Sequence, residues 1–303
     1  MRRQTSTEAL KNWVSHRGRS GANMKVTDTR GPGDSVLIGD RRVHRIGLGT
    51  NRVTDTAANR AFLRRAVELG VDFIDTADVY MSGESEVTIG AVFQGAPSDP
   101  LVTTKGGLVR VEGRYEVDGR PAHLRETLEL SLRRLRTERL DLYLLHRVDP
   151  RVPVEESLGV LREFQDAGRI RQIGVSNVSV SELERARRVA RIVCVENRYN
   201  IVDREAEDVL RYCEEREIVF IPWFPLLRGK IATSGPLARI AERQGVTPHQ
   251  VALAWLLQRS PVMLPIPGTL SEVHLKENLA AGAVRLDVEA VHELDRYASA
   301  VPS

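Results

Sequence analysis

The feature that most constrains this chain is a strict alternation. From residue 43 onward, short apolar runs of strand length take turns with stretches whose apolar residues recur at helical spacing. LVTT before Lys105, LDLYLLH (140–146), IRQIGVSN (170–177), IVCVENRYN (192–200), IVFIPWFPL (218–226) and VMLPIPG (262–268) read as strands. Between them, Leu124, Leu128, Leu132 and Leu135 mark one helix face, and Val154, Leu158, Leu161 and Phe164 mark the next. Counting from Val43 gives about eight strands over the roughly 250 residues typical of a (β/α)8 TIM barrel. An open doubly wound sheet is the competitor, but no GxGxxG follows an early strand with an acid ~20 residues on. The expectation is a single-domain α/β barrel.

Several local signals refine it. SVLIGDRRVHRIGLGT (35–50) carries two apolar arms around Gly39-Asp40, an N-terminal β-hairpin whose second arm, 43–48, leads into the main sheet. Residues 57–69 read as a helix stopped by Gly70, and 86–93 as a short one. Ser179 and Glu182 have capping-box spacing, Thr247-Pro248 is a helix start, and Asp203 is an N-cap candidate. A last helix runs through Leu275 to Leu279. Two long interruptions, 106–121 and 226–236, follow the third and seventh strands, on the face where loops cover active sites.

Composition enters at the ends and in the charge. The net charge is +3, but residues 1–30 hold seven Lys or Arg against two acids, +5, so the remainder is −2. Residues 1–34 are therefore read as a flexible basic extension and 35–303 as the barrel. Arg2-Arg3 has no apolar core after it, so no export signal is read. A near-neutral barrel gives no reason to expect nucleic acid, and no apolar run approaches the ~18 residues that cross a bilayer. Two cysteines, Cys194 and Cys213, both in apolar segments, suggest buried thiols in a reducing, cytoplasmic setting.

The chemistry concentrates at strand ends. In FIDTADVY (73–80) an apolar strand ends abruptly in Asp75, and Tyr80 follows; Lys105 and His146 end the next two strands. In a closed barrel these ends share one mouth. A neighbouring ammonium lowers the pKa of a phenol, a carboxylate holds the ammonium charged, and an imidazole that donates a hydrogen bond orients a carbonyl oxygen. Such a set handles protons for a carbonyl but holds no reductant. No metal-ligand cluster and no G-x-S-x-G accompany it, so neither a metal nor hydrolysis is expected.

FIDTADVY, VTTKGG, LDLYLLHRVD, IGVSN and LPIPGT…HLKEN occur in the order and spacing of the aldo-keto reductase superfamily, which this chain resembles from about residue 43 to 281. The resemblance implies a monomer or weak homo-oligomer with NADP, or NAD, bound without a Rossmann domain. It also implies action on a small-molecule carbonyl or alcohol. It implies Tyr80 as general acid, Lys105 and Asp75 as its tuning pair, and His146 as the carbonyl-orienting residue. For the cofactor it implies Gly49, Thr50 and Asp75 at the first two strand ends. It further implies that Ser176 and Asn177 meet the carboxamide, that Trp223 stacks on the nicotinamide, that the backbone of Phe224, Pro225, Leu226, Arg228 and Gly229 holds the pyrophosphate, and that Lys230 beside them is a cofactor contact. Gly268, Thr269, His274, Glu277 and Asn278 lie at the adenosine end.

This chain departs from the pattern at three places. Glu196 stands where members often have Gln against the carboxamide; ionised, it favours an oxidised, positively charged ring. Gly268 and His274 replace the Lys and Arg that grip a 2′-phosphate, leaving Arg228, Lys230 or Lys276 to substitute. Met81 replaces the glycine usual after the tyrosine, which puts the backbone path there in question. Two rival readings use the same barrel: a lyase with Lys105 as Schiff base, and a cofactor-binding regulatory protein resembling potassium-channel β subunits. The region from residue 282 is short and poor in aromatics, which suggests an open pocket; Arg110, Arg114 and Arg120 in the first long loop read as solvated charge.

Overall fold

The computed structural model describes residues 34–95, 100–229 and 235–300. Among these, seven parallel strands form one sheet in chain order: β3 (Leu48–Gly49), β4 (Phe73–Asp75), β5 (Leu101–Gly106), β8 (Leu140–Leu145), β9 (Ile170–Ser176), β10 (Ile192–Arg198) and β11 (Val219–Trp223). The eighth expected strand, 262–268, does not form a ladder. It makes isolated parallel bridges on both sides instead, Met263 to Phe220 of β11 and Gly268 to Gly49 of β3. Pro265 and Pro267 lack the N–H groups a ladder needs, so pairing is confined to bonds such as Leu264 N to Phe220 O (2.8 Å) and Gly47 N to Pro265 O (3.0 Å). Those bridges close the ring, and the architecture is the (β/α)8 barrel.

Helices α1 (Ala57–Glu68), α2 (Glu84–Phe93), α3 (Pro121–Leu135), α4 (Val154–Asp166), α5 (Val180–Val189) and α6 (Glu207–Glu215) alternate with the strands. Their buried faces follow the sequence pattern: Leu124, Leu128, Leu132 and Leu135 are buried on α3, and Val154, Leu158 and Leu161 on α4. The capping boxes form at Ser179/Glu182 and at Thr247/Gln250, the latter opening α8 (Pro248–Arg259).

Four local readings are corrected. The hairpin's second arm ends early: β1 (Ser35–Ile38) pairs with β2 (Arg41–His44), and the chain leaves where His44 N donates to the Asp72 carboxylate at 3.0 Å. Asp203 is no N-cap; α6 starts at Glu207, and Asp203 is ion-paired with Arg198 at 2.6 Å. The first long loop is itself a hairpin, β6 (Leu108–Val111) with β7 (Arg114–Val117), carrying exposed Arg110 and Arg114, while Arg120 binds Asp118 at 2.6 Å. A helix the sequence reading passed over, α7 (Pro236–Gln244), starts with proline and is closed by Gly245 at φ 66°. After α9 (Glu272–Ala280) comes α10 (Val288–Ala300), which buries Ala290 and Leu294 and accepts at Asp295 from the Trp255 indole at 3.0 Å.

Strand side chains alternate inward and outward. The inward rows of β4, β5, β8 and β11 begin apolar, with Phe73, Leu101, Leu142, Leu144, Val219 and Ile221 packed together. Val36, Ile38 and Val43 of the β1–β2 hairpin close that cluster from below. Both cysteines are free and buried. Among the described residues no helix is long and apolar enough to cross a membrane.

Candidate active site

At their carboxyl ends the inward rows change character. Two residues beyond Phe73 comes Asp75, four beyond Leu101 comes Lys105, two beyond Leu144 comes His146, and two beyond Cys194 comes Glu196; all four are buried. Lys105 is fully buried and central. Its Nζ donates to Asp75 Oδ1 at 2.5 Å, to the Thr76 carbonyl at 3.0 Å and to the Tyr80 hydroxyl at 3.4 Å. Glu196 Oε2 lies 3.2 Å from the same Nζ. The His146 ring meets the Tyr80 ring edge-on, 6.1 Å between centroids, and its Nδ1 is buried without a hydrogen-bond partner.

The loop that presents Tyr80 is fixed by buried hydroxyls. Ser85, at the start of α2, bonds both Thr76 Oγ1 (2.7 Å) and Thr50 Oγ1 (2.8 Å), and Thr50 donates to the Asp75 carbonyl at 2.7 Å. Behind it, Arg134 donates to the Asp78 carbonyl at 3.1 Å and to Glu86 at 3.2 Å, and Thr104 donates to Glu86 at 2.6 Å. At Met81, where the resemblance expects glycine, the backbone turns left-handed: Met81 (φ 48°), Ser82 (φ 57°) and Gly83 (φ 93°) all do so before α2. Two of these are not glycine, at roughly 1–2 kcal/mol each. Strain of this kind persists where surrounding contacts over-determine the backbone.

Electrostatics corrects one expectation. Burial holds the Tyr80 hydroxyl above its ordinary pKa, and the charges of Asp75 and Glu196 add to that; Lys105 pulls the other way without prevailing. The phenol therefore keeps its proton. Burial acts to lower the pKa of Lys105, but Asp75, Glu196 and Tyr80 outweigh it and hold the ammonium charged. Burial, then the charges of Lys105 and Arg147, pushes His146 well below the usual imidazole range, so its ring is neutral. Burial raises Asp75, and burial followed by the charge of Asp75 pushes Glu196 up to about 8.

Beside this cluster lie the groups the resemblance gives to a cofactor. Ser176 is buried and donates to the Glu196 carbonyl at 2.8 Å; Asn177, at φ 55°, donates to the His146 carbonyl at 3.2 Å. Asn177 Oδ1 accepts from the Trp223 indole N–H at 3.0 Å, which fixes a half-buried ring face at the rim. Gly49 and Thr50 stand at the end of β3, Thr50 buried. Phe224 (φ 65°) is held by Asn200, whose amide donates to its carbonyl at 3.3 Å; Pro225, Leu226 and Gly229 follow. Thr269 is buried just ahead of α9, where Ser271 caps the helix by accepting from His274 N at 3.4 Å. His274 is exposed, Glu277 half-buried and Asn278 buried. Lys230 and the Arg228 side chain lie outside the described residues. Lys276 is ion-paired with Glu272 at 2.6 Å.

An indole face, buried amide and hydroxyl groups, and a helix N-terminus suit the ring, the carboxamide and the phosphate of a nicotinamide dinucleotide. Glu196 does not simply replace a carboxamide contact; it joins the lysine cluster. Two residues were missed. Arg198 lies over the Trp223 and Phe224 rings, 6.0 and 5.4 Å to their centroids. Arg52 donates to the Gly268 carbonyl at 3.2 Å, bringing a guanidinium to the segment where the resemblance expects Lys and Arg. Nothing local could have signalled Arg52, because Gly268 is distant in the chain.

Residues 45–299 match the sequence profile of the aldo/keto reductase family. The chain belongs to that family. It is 36% identical over 278 residues to pyridoxine 4-dehydrogenase of Escherichia coli, covering 86% of this chain and 97% of that one. It is 39% identical over 275 residues to an uncharacterized oxidoreductase of Schizosaccharomyces pombe, covering 86% and 89%. Among solved structures it resembles an aldo/keto reductase from Klebsiella pneumoniae in complex with NADP and acetate, with TM-score 0.77, 29% identity and 87% and 95% coverage. This member of the aldo/keto reductases is thus a nicotinamide-dependent oxidoreductase.

Proposed function

We propose that the protein interconverts an aldehyde or ketone with the corresponding alcohol, using NADP(H) and Tyr80 as the proton donor. NADP(H), when bound, supplies or accepts the hydride. The observation that carries this reading is the chain of short contacts through Lys105, with Asp75 at 2.5 Å on one side and the Tyr80 hydroxyl at 3.4 Å on the other.

A carbonyl oxygen at the rim gains negative charge as it is reduced. Tyr80, held protonated by its surroundings, gives its proton to that oxygen, and the adjacent ammonium stabilises the phenolate left behind. Asp75 keeps Lys105 charged and in place. The neutral His146 ring donates to the same oxygen and orients it. Ser176 and Asn177 position the carboxamide, and Trp223 packs against the ring. Thr269 and the first turn of α9 receive phosphate, with Arg52 as the nearby cation. In the oxidative direction each proton step reverses. Lys105 as Schiff base is disfavoured, because the neighbouring acid cluster of Asp75 and Glu196 holds it protonated and a protonated amine is not nucleophilic.

We read residues 1–34 as an N-terminal extension and 35–303 as the barrel domain, and the protein as a cytoplasmic monomer or weak homo-oligomer. The test is a screen of the purified enzyme over aldehydes, ketones and alcohols, pyridoxine and pyridoxal included, following nicotinamide absorbance with NADP(H) and NAD(H) in parallel. Turnover with a carbonyl–alcohol pair and higher kcat/KM for NADP(H) is expected. Tight cofactor binding with no turnover on any of them favours a regulatory role instead.

A further inference from the structure

Lys105 answers two carboxyl groups at once. Asp75 Oδ1 lies 2.5 Å from Nζ and Glu196 Oε2 3.2 Å, and all three side chains are withdrawn from solvent. One ammonium balances one carboxylate. A second ionised carboxylate in the same buried space is uncompensated, which is costly. The strands flanking Glu196 offer it no further cation: in register with it stand Ser176 on β9 and Ile221 on β11. Among the described residues, Asp75 from β4 and Lys105 from β5 act on its charge, the Tyr80 phenol beyond β4 and the Cys194 thiol on its own strand feel it, and Arg198, two residues on along that strand, turns to the Trp223 and Phe224 rings.

We propose that Asp75 and Glu196 hold a single proton between them beside Lys105, and that release of this proton to solvent sets the enzyme's preference for oxidised over reduced cofactor. With the proton in place the three groups sum to zero charge. When a carboxyl O–H breaks, its electron pair stays on the carboxylate oxygen, the proton passes to buffer, and the cluster carries one negative charge. An oxidised nicotinamide ring is cationic and a reduced one is neutral, so only the oxidised form gains from that charge. By linkage, binding of the oxidised cofactor expels the proton. A glutamine at this position removes the titration. The elevated Glu196 carboxyl, near 8, puts the change within reach of ordinary assay conditions. Glu196 is a positioning residue in this scheme, acting on the cofactor's charge alongside Lys105.

The inference rests on the nicotinamide reading above, and its test separates the two. Dissociation constants of NADP+ and NADPH are measured by fluorescence titration of the full-length enzyme between about pH 6 and about pH 9.5, bracketing the acid's range. Calorimetry of NADP+ binding in buffers of different ionisation enthalpy counts the protons released. For the native enzyme, affinity for NADP+ relative to NADPH should rise on the order of 10-fold with pH, with proton release on NADP+ binding. Glu196→Gln should bind both forms with a pH-independent ratio and release no proton, and Glu196→Asp should restore a pH-dependent one. A flat ratio in the native enzyme, or an unchanged slope in Glu196→Gln, overturns the proposal. If the glutamine variant does not fold, the native enzyme's slope and proton count decide alone. Failure of the native enzyme to bind either form at any pH overturns the cofactor reading and this inference with it.

Discussion

The two ends of the barrel are built on the same strands and obey opposite rules. At the amino end the inward side chains are apolar, and the β1–β2 hairpin seals them with Val36, Ile38 and Val43. At the carboxyl end the same rows deliver a buried lysine, two buried carboxyl groups and a neutral imidazole, and the loop after β4 adds a phenol. One step along a row separates Phe73 from Asp75, and one separates Cys194 from Glu196. The amino end holds the ring together by burial of apolar surface, and the carboxyl end spends part of that stability on charge removed from water.

That contrast can be broken at either end. The largest effect is expected from Lys105→Met, which leaves Asp75 and Glu196 facing each other with no cation. Turnover should fall at least ~10³-fold, within the usual range for losing an acid–base partner, and denaturant titration should show a loss of about 3–5 kcal/mol. Ile38→Ala strikes the plug instead. It should cost about 2–4 kcal/mol by the same titration while leaving kcat/KM within roughly twofold.

Smaller changes sharpen the picture. Burial raises the Glu196 carboxyl to about 8 in the folded protein, above its unfolded value, so its favourable contribution is complete only below the unfolded pKa. As pH rises toward 8, native stability should decline relative to Glu196→Gln, the gap widening with pH; a constant gap would mean the carboxyl does not titrate there. Smallest is Met81→Gly, which relieves a left-handed residue (φ 48°) at the active-site loop. A gain of roughly 1 kcal/mol or less in stability is expected, read as a modest rise in Tm.

The sequence was most legible where one local cause dominates. Helix faces on α3 and α4 and the caps at Ser179 and Thr247 need only spacing and side-chain type, and they formed as read. The eighth strand was read from apolar content, and its two prolines withheld the ladder. Asp203 looked like a cap, but Arg198, across the turn, claims it. In the site, the convergence of Asp75, Tyr80, Lys105 and His146 followed from strand ends alone. The direction of the Tyr80 shift did not, because it depends above all on burial, with Asp75 and a second carboxyl group from β10 adding to it. Arg52 beside Gly268 was invisible for the same reason: the two meet only after the ring closes.

The central claim is that the Tyr80 hydroxyl, 3.4 Å from Lys105, transfers the proton in the reaction. Tyr80→Phe tests it most directly, with NADPH binding measured by fluorescence titration and single-turnover carbonyl reduction followed by nicotinamide absorbance. Binding within about twofold of the native enzyme and reduction slowed ~10²–10⁴-fold is the predicted result. Reduction at close to the native rate in a variant that still binds NADPH would contradict it.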